Sequence, residues 1–200
     1  MVNVFTSKGI SFIALMAALG NVLSFISIQL SPIIPQIPLG PISFSLALDF
    51  SHLATFIAAV IGGPIVGGLV GLVGGFVAAF QFGFSTGNIL SGICLPLGKA
   101  MTGVAAGFLL KRLNTEKFKM MLGTVLSYIP EAIFTAIIFV YLYPAFYGFP
   151  QALAITVAVE ILIKAFVEML IMGALLSFLI GSKGFQSFKT SIWAASPKIR

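Results

Sequence analysis

The sequence predicts an all-α integral membrane protein of six transmembrane helices with both termini on one side. Three observations predict it. The 200 residues are 59% hydrophobic and 8% charged, with a mean hydropathy of +1.14, whereas a water-facing domain carries roughly a quarter charged residues. Apolar runs recur between prolines and charges, most of them near the ~20 residues that cross a hydrocarbon layer. Lys and Arg gather in alternate connections, the asymmetry that orients a membrane chain.

The first span covers about residues 10–30, after Lys8, and is long enough to cross rather than to be cleaved as a signal peptide. SPIIPQIPLGPISF follows, and its four prolines forbid a continuous helix, so residues 31–45 are expected to form an outer loop. The second span, about 46–62, stops at Gly62-Gly63-Pro64. The third, about 64–80, begins on that proline, which suits a first helical turn. The polar QFGFSTGN separates it from the fourth, about 89–110. The fifth covers about 120–143, and PAFYGFP leads into the sixth, about 151–180. In the tail, 182–200, Phe185, Phe188, Ile192 and Trp193 keep helical spacing, as a helix on the membrane surface would; a frayed tail is the alternative.

Lys8 precedes the first span. Lys111, Arg112, Lys117 and Lys119 lie between the fourth and fifth, and Lys183, Lys189, Lys198 and Arg200 follow the sixth. The other loops contain no basic residue. Six crossings therefore put these cations on one side, making a multi-pass plasma-membrane protein with cytoplasmic termini.

The net charge of +6 does not indicate nucleic acid, because no basic run with interleaved aromatics tracks a phosphate backbone. A single cysteine, Cys94, excludes an internal disulfide, and a single histidine, His52, excludes a histidine-cluster metal centre. GFSTG matches the G-x-S-x-G pattern, but between membrane helices it lacks the strand-to-helix elbow that hydrolysis needs. With no G-x-x-x-x-G-K-[ST] loop and no cofactor signal, the chain is not expected to be an enzyme.

Charges inside the spans carry the functional argument. AVEILIKAFVEML holds Glu160, Lys164 and Glu168 on one helical stripe. A rise of ~1.5 Å per residue puts His52, Lys99, Glu131 and Glu168, from four spans, in one layer near the midplane. Asp49 and Lys164 lie further out, and Glu160 furthest. Ionised groups in hydrocarbon cost at least a few kcal/mol, so they pair or line a wet cavity. Expected pairs are Lys99 with Glu131 or Glu168, and Lys164 with Glu160 or Glu168. Glu160 is the expected solute ligand near the outer mouth, with Lys164, Glu131, Lys99, Asn88, Gln81, Tyr147 and Gln151 completing the candidate binding set. The formal sum of these intramembrane charges leans toward a cationic or zwitterionic solute. Tyr141, Tyr143, Phe146, Tyr147 and Phe149 form either an interfacial belt or a pocket wall.

Gly63, Gly67, Gly71 and Gly75, each four apart, with Gly103 and Gly107 in the fourth span, form small-residue stripes suited to close helix packing within the chain. Ala14 and Ala18 repeat the spacing in the first span, and serve either an internal seam or a partner's docking face.

Ala14-x-x-x-Ala18, the proline-rich first loop and LDFSHLATFIAAVIGGPIVGGLVGLVGG (48–75), with GKAMTGVAAGFLLKR in the fourth span, resemble the substrate-binding S components of energy-coupling factor (ECF) transporters. The pattern is nearest the riboflavin, folate and pantothenate members. The resemblance implies a subunit that captures a small vitamin-like micronutrient outside, under a lid formed by residues 31–45. It then docks through Ala14 and Ala18 on a transmembrane coupling subunit driven by two ABC-type ATPases. ATP belongs to those partners, and no cofactor or metal is implied for this chain; the cobalt and nickel members use an N-terminal histidine that is absent here. The alternative is a stand-alone secondary transporter or channel that uses the midplane charges.

Overall fold

The computed structural model describes residues 5–33, 36–39, 42–45, 48–111 and 117–193. Arg112, Lys198 and Arg200, and parts of the expected lid and second span, lie outside the described residues. Helices carry the fold. α1 (Ser7–Leu30) leads to a hairpin of β1 (Gln36–Leu39) and β2 (Ile42–Ser45), then α2 (Ser51–Gly62), α3 (Pro64–Gly74), α4 (Phe76–Phe82) and a 3-10 turn (Phe84–Thr86). α5 (Ile89–Leu109), α6 (Lys117–Ser127) and α7 (Ile129–Ile137) follow, then a π turn (Ile138–Leu142), α8 (Tyr143–Tyr147), α9 (Gln151–Ile180) and α10 (Lys183–Trp193).

Two expectations change. The first loop is not irregular: β1 and β2 pair antiparallel, with Gln36 opposite Ser45 and Leu39 opposite Ile42. The all-α reading therefore gains a short hairpin. The second span is also shorter than expected. α2 has 12 residues, about 18 Å, too short to cross ~30 Å of hydrocarbon. Five helical stretches are long and apolar enough to cross a membrane, with α2 as a shorter apolar helix.

Among the described residues, the lysines outside the spans gather at one end. Lys111 Nζ would lie 3.3 Å from a Cβ at Gly63, Lys117 Nζ sits 4.8 Å over the Phe178 ring, and Phe12 meets Phe188 at 6.5 Å. α10 thus folds back under α1, with Phe185 buried. The hairpin and the α4–α5 connection lie at the opposite end.

α3 and α5 touch backbone to backbone. A Cβ on Gly67 would stand 2.4 Å from the Gly103 carbonyl oxygen, one on Gly71 2.4 Å from that of Lys99, and one on Gly107 2.3 Å from Pro64 Cα. The glycine stripes are therefore an internal seam, where close approach supplies the attraction that hydrocarbon does not. α1 packs on α3 through Ala17 and Gly20. α6 and α9 pack around Met120, Met169, Met172 and Leu176, with one close approach where a Cβ on Gly173 would stand 2.9 Å from Met121 Cα.

Several helices break near the middle of the bundle. α3 gives way to α4 at Gly75, which faces Pro96 inside α5 at 2.9 Å from a built Cβ. Inside lipid, backbone groups freed by a break must be paired within the protein. Asn21 of α1 does this: its Nδ2 donates to Val73 O at 2.9 Å, and its Oδ1 accepts from Val77 N at 3.0 Å. Asn21→Leu, which strands both groups, is expected to cost about 1–3 kcal/mol. The measurement is the melting temperature of the detergent-purified protein; an unchanged Tm would show that the break needs no bracing.

Candidate functional site

The breaks at α2 and α7 place two helix N-termini at the charged layer. α2 begins at Ser51, whose N–H donates to Asp49 Oδ1 at 2.9 Å. The two preceding N–H groups are also capped, Phe50 N by Ser27 Oγ at 3.3 Å and Asp49 N by Glu168 Oε1 at 2.9 Å. α7 begins after Tyr128, with Pro130 and Glu131 in its first turn. Carboxylates are stabilised at such positive helix ends, and discontinuous helices meeting near the midplane are how membrane transporters build polar sites.

These ends border a cavity of about 450 Å³ in the half of the bundle toward the hairpin. α1 contributes Ser24, Ser27 and Ser31; the α2 entry contributes Asp49 and His52; α5 contributes Ser91, Cys94, Leu95 and Gly98. Tyr128, Glu131, Thr135, Ile138, Phe139 and Tyr143 form another wall, and α9 supplies Ile161, Lys164, Ala165, Glu168 and Met169.

The charges are joined pairwise. Lys99 Nζ donates to the Ser51 hydroxyl and lies 3.9 Å from Asp49 Oδ2. Lys164 Nζ lies 3.8 Å from Glu168 Oε1. Glu131 Oε2 accepts from the Thr102 hydroxyl at 2.5 Å and faces His52 Nε2 at 3.3 Å. At the other end of the cavity, Tyr143 O–H meets Asn88 Nδ2 and Ser91 Oγ, and its ring stacks on Phe139 with centroids 4.5 Å apart.

A family model described as "ECF transporter, substrate-specific component" matches residues 8–181. The chain belongs to that family. No curated protein matches the chain. Membership makes it a substrate-binding membrane subunit of an ECF transporter, which implies a small-molecule substrate and ECF-module partners, a coupling subunit and ATPases. The family is one of transporter binding subunits, not of enzymes. In the GFSTG stretch the Ser85 hydroxyl donates to Gln81 O at 2.9 Å, while His52 faces Glu131.

Within this substrate-specific component, the residues expected to bind solute divide. Glu131 and Lys164 line the cavity. Lys99 lies behind it, 4% exposed, and its partners are Asp49 and Ser51 rather than Glu131 or Glu168. Depth along a helix fixes a layer but not an azimuth, which is why the expected pairing differed. Lys164 does pair with Glu168, one of its two expected partners. Asn88 holds the Tyr143 hydroxyl and, through Oδ1, caps α5 at Ser91 N at 3.1 Å. Glu160 is half-buried and stands outside the lining. Gln81, Tyr147 and Gln151 are exposed. Gln151 Nε2 donates to Val140 O at 3.0 Å, and the Tyr147 hydroxyl accepts from Leu90 N at 3.4 Å.

Sequence reasoning missed Asp49 and His52 as lining residues, and the serines of α1. Ser24, Ser27 and Ser31 fall at helical spacing on one face, a polar stripe in an otherwise apolar span that was available to be read. In the aromatic loop, Tyr143 serves as wall, while Tyr141 and Phe146 are exposed, as belt residues are.

Proposed function

We propose that this chain captures a small vitamin-like solute of cationic or zwitterionic character from outside the cell and delivers it inward. Delivery proceeds by docking on a coupling subunit driven by two ABC-type ATPases. The observation that carries the reading is the charged, aromatic-walled cavity in the half of the bundle away from the basic end. By the bias of Lys and Arg toward the cytoplasm, that half faces outward and both termini face inward. The β1–β2 hairpin serves as the lid. Glu131, Lys164 and the residues paired with them hold the solute, with Asn88 and Tyr143 at the outer wall.

Ala14 and Ala18 are the proposed docking contact. Both are exposed, whereas Ala17 between them is buried against α3, so their stripe is left free by the packing of the chain itself. Small side chains there let a partner helix approach closely. The double substitution Ala14→Trp with Ala18→Trp is expected to lower recovery of the coupling subunit about tenfold, the effect of ~1.4 kcal/mol, with solute binding kept. Co-purification from cells expressing both subunits measures it. Undiminished recovery rejects this docking face, and solute uptake by the chain in a host without coupling modules rejects the importer reading.

A further inference from the structure

We propose that Glu131 is the carboxylate that reads charge on the solute, and that the solute carries a single protonated nitrogen on an apolar, ring-bearing body. This deepens the binding-subunit reading and rests on it. Three carboxylates border the cavity, and two of them have a lysine beside them: Asp49 has Lys99 and Glu168 has Lys164. Glu131 has none among the described residues. Its two contacts, the Thr102 hydroxyl and the His52 ring, fall on the same oxygen, Oε2.

A carboxylate offers about four lone-pair sites, and Oε1 carries no hydrogen bond from the described residues. His52 leaves a second polar atom of this wall unpartnered, its buried Nδ1. A carboxylate at this depth that faces only a histidine ring and no lysine is costly, and a cationic N–H supplied by the solute relieves that cost with a charge-assisted hydrogen bond. Thr102 and His52 act through Glu131: two contacts on one oxygen fix the carboxylate and leave the other toward the solute.

The apolar part of the wall, as distinct from the α1 serines, defines the solute's body. Leu95, Ile138, Phe139 and Phe82 are apolar, and the Tyr143 hydroxyl is already engaged by Asn88 and Ser91. These surfaces accept a ring by stacking and burial. Because Lys164 already has Glu168 as its counter-ion, the site asks for no anionic group on the solute. A monocation therefore suits it better than a zwitterion.

Cys94, the single cysteine, lines the same cavity and reports occupancy through its protection from a methanethiosulfonate reagent. Four probes share one indole ring and differ in charge: tryptamine (cation), tryptophan (zwitterion), tryptophol (neutral) and indole-3-propionate (anion). With the full chain in detergent, tryptamine is expected to protect at concentrations about tenfold to a hundredfold below tryptophol, the worth of one hydrogen bond to a charged group. The propionate is expected to protect least.

Glu131→Gln keeps an acceptor for Thr102 and His52, and is expected to bring tryptamine to the level of tryptophol. Strongest protection by the anion or the zwitterion, equal protection by cation and alcohol, or none by any probe at millimolar concentration overturns the proposal. So does a Glu131→Gln protein that still prefers tryptamine. Should that variant not fold, the wild-type series decides alone. Recovery of the coupling subunit does not depend on these results, so the two readings fail separately.

Discussion

Gly103→Ala is expected to remove most of the folded protein from detergent extracts. The added methyl would stand 2.1 Å from the Gly67 carbonyl oxygen and 2.5 Å from its carbonyl carbon. Overpacking usually costs about 1–3 kcal/mol because flexible side chains yield. Here the obstacle is backbone of α3, itself seated on α1 and α2, so α3 and α5 must separate along their length. That loosens the contacts at Gly71 and Gly107 as well. Against a total stability of roughly 5–15 kcal/mol, such a loss is expected to show as aggregated or absent protein on size exclusion. Gly184→Ala is the control, since nothing lies within 4 Å of a Cβ there, and its change should stay within about 0.5 kcal/mol. Equal behaviour of the two variants would mean that the seam tolerates a side chain.

Lys99→Met is expected to be comparably damaging, for an electrostatic reason. Lys99 is buried, donates to Ser51 and sits beside Asp49. Its removal leaves the Asp49 carboxylate without its cation, and breaking a buried pair typically costs about 3–5 kcal/mol. Asp49→Asn is expected to destabilise as well, because Lys99 is then the unpaired charge. The double variant should recover part of the loss, with a coupling of about 1–3 kcal/mol. Melting curves of the four proteins measure that coupling. Strict additivity would show that Ser51, not Asp49, is what Lys99 requires.

Much of this fold was legible because lipid imposes few solutions. The bounds of α1, α5 and α9 follow from run length, proline and glycine, and α9 begins and ends where its apolar run does. The gathering of charges from several helices in one layer was legible for the same reason, since helix rise converts sequence number into depth, although Asp49, expected further out, lies beside Lys99 and Glu168. Azimuth was not legible. Nothing in the spacing says that Lys99 turns toward α2 while Glu131 turns toward His52, because that depends on how α3 and α5 seat at their glycines. The start of α2 was hidden too: 46–50 is almost as apolar as the helix after it, and only the capping by Asp49, Ser27 and Glu168 ends the helix at Ser51. Glu160 illustrates the same limit. Its stripe drifts around α9 over two turns, so Glu168 and Lys164 reach the cavity while Glu160 does not.

The glycine contact has a mechanical consequence. Where two main chains touch, there is no side chain to re-rotamer, so α3 and α5 move as one stiff plate. The opposing half, α6 with α9, has one such contact, Gly173 against the Met121 backbone, and otherwise meets through Met120, Met169 and Met172, thioethers that deform at little cost. The chamber takes part of its lining from α5 of the first pair and part from α9 of the second. Rearrangement of the chamber is therefore expected to be smaller at α5 than at the methionine contacts of α9.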